Sequence, residues 1–241
     1  MLIHHHTAPR LPKRVVVLGA SGFVGKATMK SLRTAGIPAL GMARSDIDLL
    51  TPEAPQKLAG LLRSDDVLVV ISAKAPAKTN DMVIDNLRMV GNVCDALTAM
   101  PVDQVVYVSS DAVYADSDGP LTEASPAQPA TLHGVMHLAR EVMLRQSYRG
   151  PLCILRPTLI YGVEDPHNGY GPNRFRRLAL AGQEIVLFGH GEERRDHVWV
   201  NDVAAIITRA ILHKSEWILN VATGTVTSFM EIAKTIAQMV P

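Results

Sequence analysis

The 241-residue sequence predicts an α/β protein: a doubly wound parallel sheet with a small C-terminal lobe. Three observations carry this expectation. Short apolar runs alternate with long helical patterns, as in a parallel sheet covered by helices on both faces. A glycine-rich turn separates the first such run from the first helix. Beyond Pro157 the texture changes, and 162–171 is rich in Gly, Pro, Asn and charge, which reads as a loop or lid between regular elements. The division that follows is a sheet domain over 13–161 plus 199–221 and a lobe over 162–198 plus 222–241.

The elements follow in chain order. Val15-Val16-Val17-Leu18 is a β-branched run of the doubly buried kind. Phe23 to Ala35 reads as a helix stopped by Gly36. Ile37 to Met42 is a second strand, and Thr51-Pro52-Glu53 a helix start with a capping hydroxyl, an early proline and an acid at the positive dipole end. Val67 to Ile71 is a third strand. Asn80 to Met100 is a helix with Val83, Leu87, Val90, Val93 and Leu97 on one stripe. Val105 to Val108 is a strand, Leu132 to Tyr148 a helix and Leu152 to Leu155 a strand. Further on, Ile185 to Phe188 and His197 to Val200 read as short strands. Asp202 to Leu212 reads as a helix capped by Asn201 or Asp202, and Ile218 to Val221 as a late strand. Ser228-Phe229-Met230-Glu231 is a capping box that opens the last helix.

Composition excludes several classes. Hydrophobic residues at 47% and charged residues at 20% are ordinary for a globular chain. The formal net charge of +1 leaves no electrostatic footprint for nucleic acid or an anionic membrane. No apolar stretch is long enough to cross a bilayer, and Met1 to Arg14 lacks the apolar segment of a signal peptide. Cys94 and Cys153 both sit in apolar runs and read as buried thiols of a reduced, cytoplasmic protein. His4-His5-His6 reads as a tag or a frayed terminus and is set aside.

The glycines carry the first chemistry. Gly19, Gly22 and Gly25 are spaced G-x-x-G-x-x-G across Gly19-Ala20-Ser21-Gly22-Phe23-Val24-Gly25, between a buried strand and a helix. That is the Rossmann-type setting: a tight turn, a backbone free to approach a pyrophosphate, and helix packed close to sheet. The helix N-terminus adds free N–H groups for the phosphates. An NAD site carries an acid about 20 residues on. Met42-Ala43-Arg44-Ser45 stands there without a carboxylate, and Arg44 suits a 2′-phosphate, which tilts the expectation from NAD towards NADP. Arg44 also fits a solvated loop arginine. Asp48 lies nearby at the adenine end, and Ser72 and Ala73, just past the third strand, complete the candidate cofactor contacts.

Several further motifs stand in order: Val108-Ser109-Ser110-Asp111-Ala112-Val113-Tyr114, Leu155-Arg156-Pro157 with Tyr161-Gly162, Arg195-Asp196-His197-Val198-Trp199-Val200-Asn201-Asp202-Val203-Ala204, and Asn220-Val221-Ala222-Thr223-Gly224. With the glycines, they make the chain resemble an extended short-chain dehydrogenase/reductase of the NAD-dependent nucleotide-sugar epimerase/dehydratase kind, from about Arg14 to the C-terminus. The resemblance implies an oxidoreductase or isomerase whose sheet binds the cofactor and whose lobe binds a nucleotide sugar. It implies that Ser110 hydrogen-bonds the reacting sugar oxygen. Asp111 falls where dehydratase-like and reductase-like relatives hold an acid. By the same resemblance Arg195 grips the substrate diphosphate and Asn173 contacts substrate from the lobe. Such proteins often dimerise through two long helices, here Asn80–Met100 and Leu132–Tyr148, so a homodimer is expected. Relatives commonly continue beyond the position of Met239, so the lobe reads as short or truncated.

One departure stands out. The family's Tyr-x-x-x-Lys motif falls on His133-Gly134-Val135-Met136-His137, with Glu141 helping to fix the register. Both chemical residues are therefore histidine. A phenol of pKa about 10 needs a cation to act near neutrality, whereas imidazole at about 6.5 does not. His133 is thus expected to exchange the proton and His137 to contact the nicotinamide ribose. The i, i+4 spacing also suits a metal, but no third ligand is apparent and none is expected. The alternative is a catalytically silent NAD(P)-binding sensor or scaffold.

Overall fold

The computed structural model describes residues 2–117 and 119–239. Its main sheet has seven strands in the order β1-β9-β6-β5-β4-β2-β3: β1 (Ile3–His4), β2 (Arg14–Leu18), β3 (Ala39–Met42), β4 (Asp66–Val70), β5 (Gln104–Val108), β6 (Leu152–Pro157) and β9 (Ser215–Val221). All neighbours pair in parallel except β1 with β9. The strands are apolar on both faces, and alternation assigns each residue to a side. Val16, Leu18, Leu68 and Val70 pack with α2 (Ala54–Leu61), α3 (Asn80–Ala99) and α4 (Leu132–Ser147). Val15, Val17, Val67 and Val69 pack with α1 (Phe23–Thr34) and α6 (Val200–Leu212).

A second sheet, ordered β10-β8-β7, is built from β7 (Leu159–Tyr161), β8 (Arg194–Trp199) and β10 (Val226–Ser228). Beside it α5 (Pro172–Leu180) and α7 (Phe229–Met239) share a small aromatic core around Phe175, Phe229 and Tyr170. Ser228 and Glu231 form the reciprocal capping box at α7: the Glu231 N–H donates to Ser228 Oγ at 3.2 Å, and the Ser228 N–H donates to Glu231 Oε2 at 2.8 Å.

The structure corrects four local readings. Ile185–Phe188 forms no strand; Val186 and Phe188 are exposed, and no neighbouring strand offers a ladder. The second helix starts at Ala54 with Pro55 in its first turn, and the Thr51 hydroxyl donates to the Asp48 carbonyl instead of capping. α6 starts at Val200, so Asn201 and Asp202 lie inside its first turn and Trp199 is the cap residue, without a side-chain bond. The N-terminal histidines are docked: β1 covers the edge of β9, His4 Nδ1 lies 2.8 Å from Ser215 Oγ and His5 Nε2 2.8 Å from Glu216. The three-residue strands β7 and β10 and helix α5 have no counterpart in the sequence reading, being too short or too polar to show a period.

One buried network fastens α4 to the sheet. Glu141 on α4 receives Arg156 of β6 through both oxygens, at 2.9 and 2.6 Å, and the Ser109 hydroxyl at 2.6 Å. Arg156 also donates to Tyr114 Oη at 2.7 Å, and Tyr114 donates to Asn220 of β9 at 2.8 Å. Removing one member of a buried ion pair strands the other charge. Arg156→Ala is therefore expected to lower unfolding stability by about 3–5 kcal/mol, measured by urea denaturation.

Candidate active site

Counted along the chain, the six parallel strands lie in the order 2-1-3-4-5-6, so the winding reverses between β2 and β4. A crevice opens at the carboxyl ends of strands at such a point. Here it is a cleft of about 750 Å³, walled by segments that follow β2, β3, β4, β5 and β7 and by the first turn of α4.

The glycine turn forms one wall. Gly19 has φ +89°, where a side chain is strained, and a Cβ on it would lie 2.7 Å from the Ser72 N. A Cβ on Gly25 would overlap the Gly19 carbonyl, so Gly25 is set by packing and does not line the cleft. Gly22 differs: its backbone is extended, at φ −76° and ψ 175°, and a Cβ there would meet only the Gly19 oxygen, at 3.3 Å. The space before Gly22 is cleft. No side chain caps α1 at Gly22 and no acid lies in its first turn, which leaves its leading N–H groups free for an anion. Ser21, Phe23 and Val24 line the same wall.

Past β3, Arg44 and Asp48 line the cleft and pair at 3.0 Å. The Leu50 N–H, and then Arg44, hold the Asp48 carboxyl below its usual range. Ser72 and Ala73 line the cleft beyond β4, and so does Lys74, which is tied to Asp85 at 2.6 Å. Lys74 was open to sequence reasoning from the same strand end.

The chemical groups gather beyond β5. Ser110 Oγ accepts the Ala112 N–H at 3.1 Å and donates to Asp111 Oδ1 at 3.3 Å. Burial pushes the Asp111 carboxyl up to about 6, against the opposing effects of the Ser110 hydroxyl and Arg195. The start of α4 presses on this turn because residue 134 is glycine; a Cβ there would overlap the Ala112 carbonyl. His133 and His137 are thereby brought to the cleft, with ring centroids 4.7 Å apart and edge to face. His133 Nδ1 receives only a long bond, 3.4 Å, from the Ala77 N–H, so the ring is weakly committed. Burial, and then His167, lowers its pKa. His137 is almost fully buried, its Nδ1 is 2.7 Å from Tyr107 Oη, and burial with the nearby Arg140 and His133 holds it well below 6.5.

Asn173 and Arg195 are placed differently. Asn173 lines the cleft, yet its amide accepts from the Gly162 N–H at 3.0 Å and donates to the Ile160 carbonyl at 3.4 Å, fastening the loop. Arg195 lies on β8 outside the cleft lining, held by Glu193 at 2.6 Å and Asp116 at 3.2 Å. His167 and Asp165, from the 162–171 loop, also line the cleft. No sequence signal marked them. Among the described residues no group of three or more His, Cys, Asp or Glu is placed to hold a metal.

The contrast between Gly22 and Gly25 is testable. Gly22→Val is expected to fold and to lose NAD(H) and NADP(H) binding by calorimetry, because its side chain fills the cleft. Gly25→Ala is expected to cost about 1–3 kcal/mol of stability through overpacking. A folded Gly22→Val variant with unchanged affinity would overturn the assignment of this wall.

Comparison with known proteins agrees with this fold. The chain is similar to the UDP-glucose 4-epimerase of Mycolicibacterium smegmatis, 30% identical over an alignment that covers 93% of this chain and 82% of that one. The GDP-L-fucose synthase of Escherichia coli is 24% identical over an alignment that covers 95% of this chain and 81% of that protein. Among solved structures, UDP-N-acetylglucosamine 4-epimerase from Bacillus cereus shares the fold with a TM-score of 0.83 at 24% identity, over 95% of this chain and 81% of that one. The UDP-glucose 4-epimerase of Thermus thermophilus, in complex with NAD, gives 0.81 at 23% identity, over 94% and 83%. The model of the NAD dependent epimerase/dehydratase family matches residues 15–222, and the chain belongs to that family.

Proposed function

We propose that this chain is an NAD(P)-dependent enzyme that epimerises, dehydrates or reduces a nucleotide-activated sugar, with His133 and His137 in the places of the family's tyrosine and lysine. The observation that carries this reading is convergence: Ser110, Asp111 and His133 meet in the cleft that the Gly19–Gly25 turn opens. The relatives named above are UDP-sugar epimerases and a GDP-sugar synthase, which supports a sugar nucleotide as substrate.

The uncapped α1 N-terminus and the open space at Gly22 fit a dinucleotide's diphosphate. Bound there, the nicotinamide supplies the hydride acceptor and donor. The protein's part is orientation and proton transfer. Ser110 holds the reacting sugar oxygen through its hydroxyl. Neutral His133 takes the proton of that oxygen as it becomes a carbonyl and returns it on reduction. Asp111, with its carboxyl near pKa 6, can hold a proton for a leaving or newly formed hydroxyl. His137 offers an N–H to the ribose. Arg195 serves a diphosphate once it exchanges Asp116 and Glu193 for a more highly charged anion. Ile84, Leu132, Val135 and Val142 on α3 and α4 are exposed and apolar, which supports pairing of two copies through these helices.

The silent-binder reading is favoured by one observation: His137 is held neutral and so carries none of lysine's charge. Kinetics separate the two. His133→Ala is expected to cut turnover of a UDP- or GDP-sugar by about 10²–10⁴-fold while leaving dinucleotide affinity intact, the usual size of a lost general acid/base. The titratable groups beside His133 are His137 on the same helix and His167 from the loop, and Asp111 on the turn after β5 lines the same cleft. Burial disfavours the imidazolium, so the acid limb of the rate profile is expected below pH 6.5. No turnover by the wild type, with turnover restored in His133→Tyr/His137→Lys, would establish the silent binder.

Cofactor choice turns on Arg44. We read the site as favouring NADP, because Arg44 stands past β3 at the cleft and both it and Lys74 act on Asp48 there. Arg44→Ala is expected to weaken NADP by about 1.5–3 kcal/mol and NAD by much less, measured by titration calorimetry. Equal losses would show that Arg44 does not read a 2′-phosphate.

A further inference from the structure

The inner face of α4 holds polar groups where apolar ones would pack: His137, Arg140 and Glu141 lie among Met136 and Leu144. Glu141 is matched by Arg156. Arg140 is matched by no carboxylate among the described residues, though it is 1% exposed. Its guanidinium donates to the Ser72 carbonyl at 2.7 Å, lies 3.9 Å from Met136 Sδ and rests over the Tyr107 ring, 5.2 Å from the centroid. Its Nε is buried without a partner. A buried cation held by a carbonyl, a sulfur and a ring costs stability that a leucine there would not.

The neighbours suggest what it does. Tyr107 is fully buried on β5, and its Oη is 2.7 Å from His137 Nδ1. His137 Nδ1 is the short partner of the phenol oxygen, and Ser109 acts on the same phenol from β5. The Ser109 hydroxyl proton goes instead to Glu141. A phenol that donates to Nδ1 leaves the imidazole proton on Nε2. That nitrogen makes no hydrogen bond among the described residues, and His137 lines the cleft.

We propose that Tyr107 and Arg140 are positioning residues that fix His137 as the neutral Nε2–H tautomer, so that it faces the cleft as a hydrogen-bond donor and not as a base. This rests on the reading of His137 as the contact to the cofactor ribose. Tyr107 sets the tautomer by occupying Nδ1. Burial keeps His137 neutral first, and Arg140, on the same helix, adds to it by opposing a second cation beside it, together with His133. The two properties of a lysine, an N–H donor and a permanent charge, are thereby divided between His137 and Arg140. Arg140 also grips the Ser72 carbonyl, and Ser72 is the residue against which Gly19 is packed, so the same guanidinium fixes the cleft wall at the switch point.

The experiment is a long-range ¹H–¹⁵N spectrum of the full chain without ligand, with the His137 signals identified from their loss in His137→Gln. The wild type is expected to show an acceptor-type Nδ1 and a protonated Nε2. Tyr107→Phe, which deletes one oxygen, is expected to give averaged shifts of both tautomers and to weaken dinucleotide binding roughly 2- to 10-fold, the worth of one neutral hydrogen bond. Arg140→Met is expected to raise the pH at which His137 titrates, and Arg140→Lys to restore it. A protonated Nδ1 in the wild type, or a Tyr107→Phe spectrum like the wild type's, would overturn the proposal, the first without any variant having to fold. A lost tautomer in Tyr107→Phe with unchanged dinucleotide affinity would uphold the lock and overturn the ribose reading of His137.

Discussion

The position of α4 rests on one buried ion pair. Glu141 and Arg156 are both nearly inaccessible and meet through two hydrogen bonds. Such a pair is worth little against a well-packed apolar alternative, but it is demanding about geometry. Its remaining donors and acceptors are filled by Ser109 at the end of β5, Tyr114 beyond the Asp111 turn and, through Tyr114, Asn220 on β9. Four segments distant in sequence are thus set at fixed separations. The helix that carries His133 and His137 has one depth and one rotation over β5, and the site inherits both.

This network also explains why separate motifs travel together in the chain. Ser109, Tyr114, Arg156 and Asn220 each belong to one of the sequence motifs that carried the family resemblance, yet none needs to touch a ligand. Their common task is to satisfy one another in a place where an unpaired polar group would be expensive. The groups that face the cleft, Ser110 and Asp111, are neighbours of that task.

The fold was legible wherever a local signal coincided with a tertiary need. The glycine turn was readable because a φ of +89° and two backbone contacts demand glycine, and the main strands because they are buried on both faces. Ile185–Phe188 misled because an apolar run says nothing of whether a partner strand is at hand. Strands β7 and β10 escaped because three residues show no period. Within the site, Ser110, Asp111, His133 and the other cleft-lining residues named from sequence lie at strand ends or helix starts, which topology alone brings to one crevice. Arg195 was placed by resemblance, and the structure keeps it outside the lining, in ion pairs with Asp116 and Glu193. Tyr107 and Arg140 were hidden for another reason. A tyrosine in a strand and an arginine in a helix are ordinary in sequence, and only packing shows one lying under the other beside a histidine. The signal that was present is that Arg140 falls three residues after His137, on a stripe that should be apolar.

Two imidazoles in the places of a phenol and an amine, as proposed above, change what the surroundings must do. A phenol must be made more acidic to work near neutrality, so it needs a cation close by. An imidazole already titrates there, and a cation close by would only discourage its protonated form. The cleft meets that requirement by separation. The permanent charge of Arg140 lies behind the wall, one turn along α4 and under Tyr107, where it acts on His137 first. His133, nearer the solvent and the Ser110 turn, is lowered mainly by burial. Meanwhile burial raises Asp111 to about 6. Burial moves the two groups in opposite directions and favours the uncharged form of each, the neutral imidazole of His133 and the protonated carboxyl of Asp111. An uncharged group able to accept a proton and an uncharged group able to give one then line the same cleft. At higher pH Asp111 ionises and the base alone remains, which favours taking a proton from a hydroxyl over giving one to a leaving group. On the proposed assignment of Asp111, the choice among the reactions open to this family depends on how the bound sugar shifts its carboxyl, and a substrate that excludes water from it would push that carboxyl further towards the acid role.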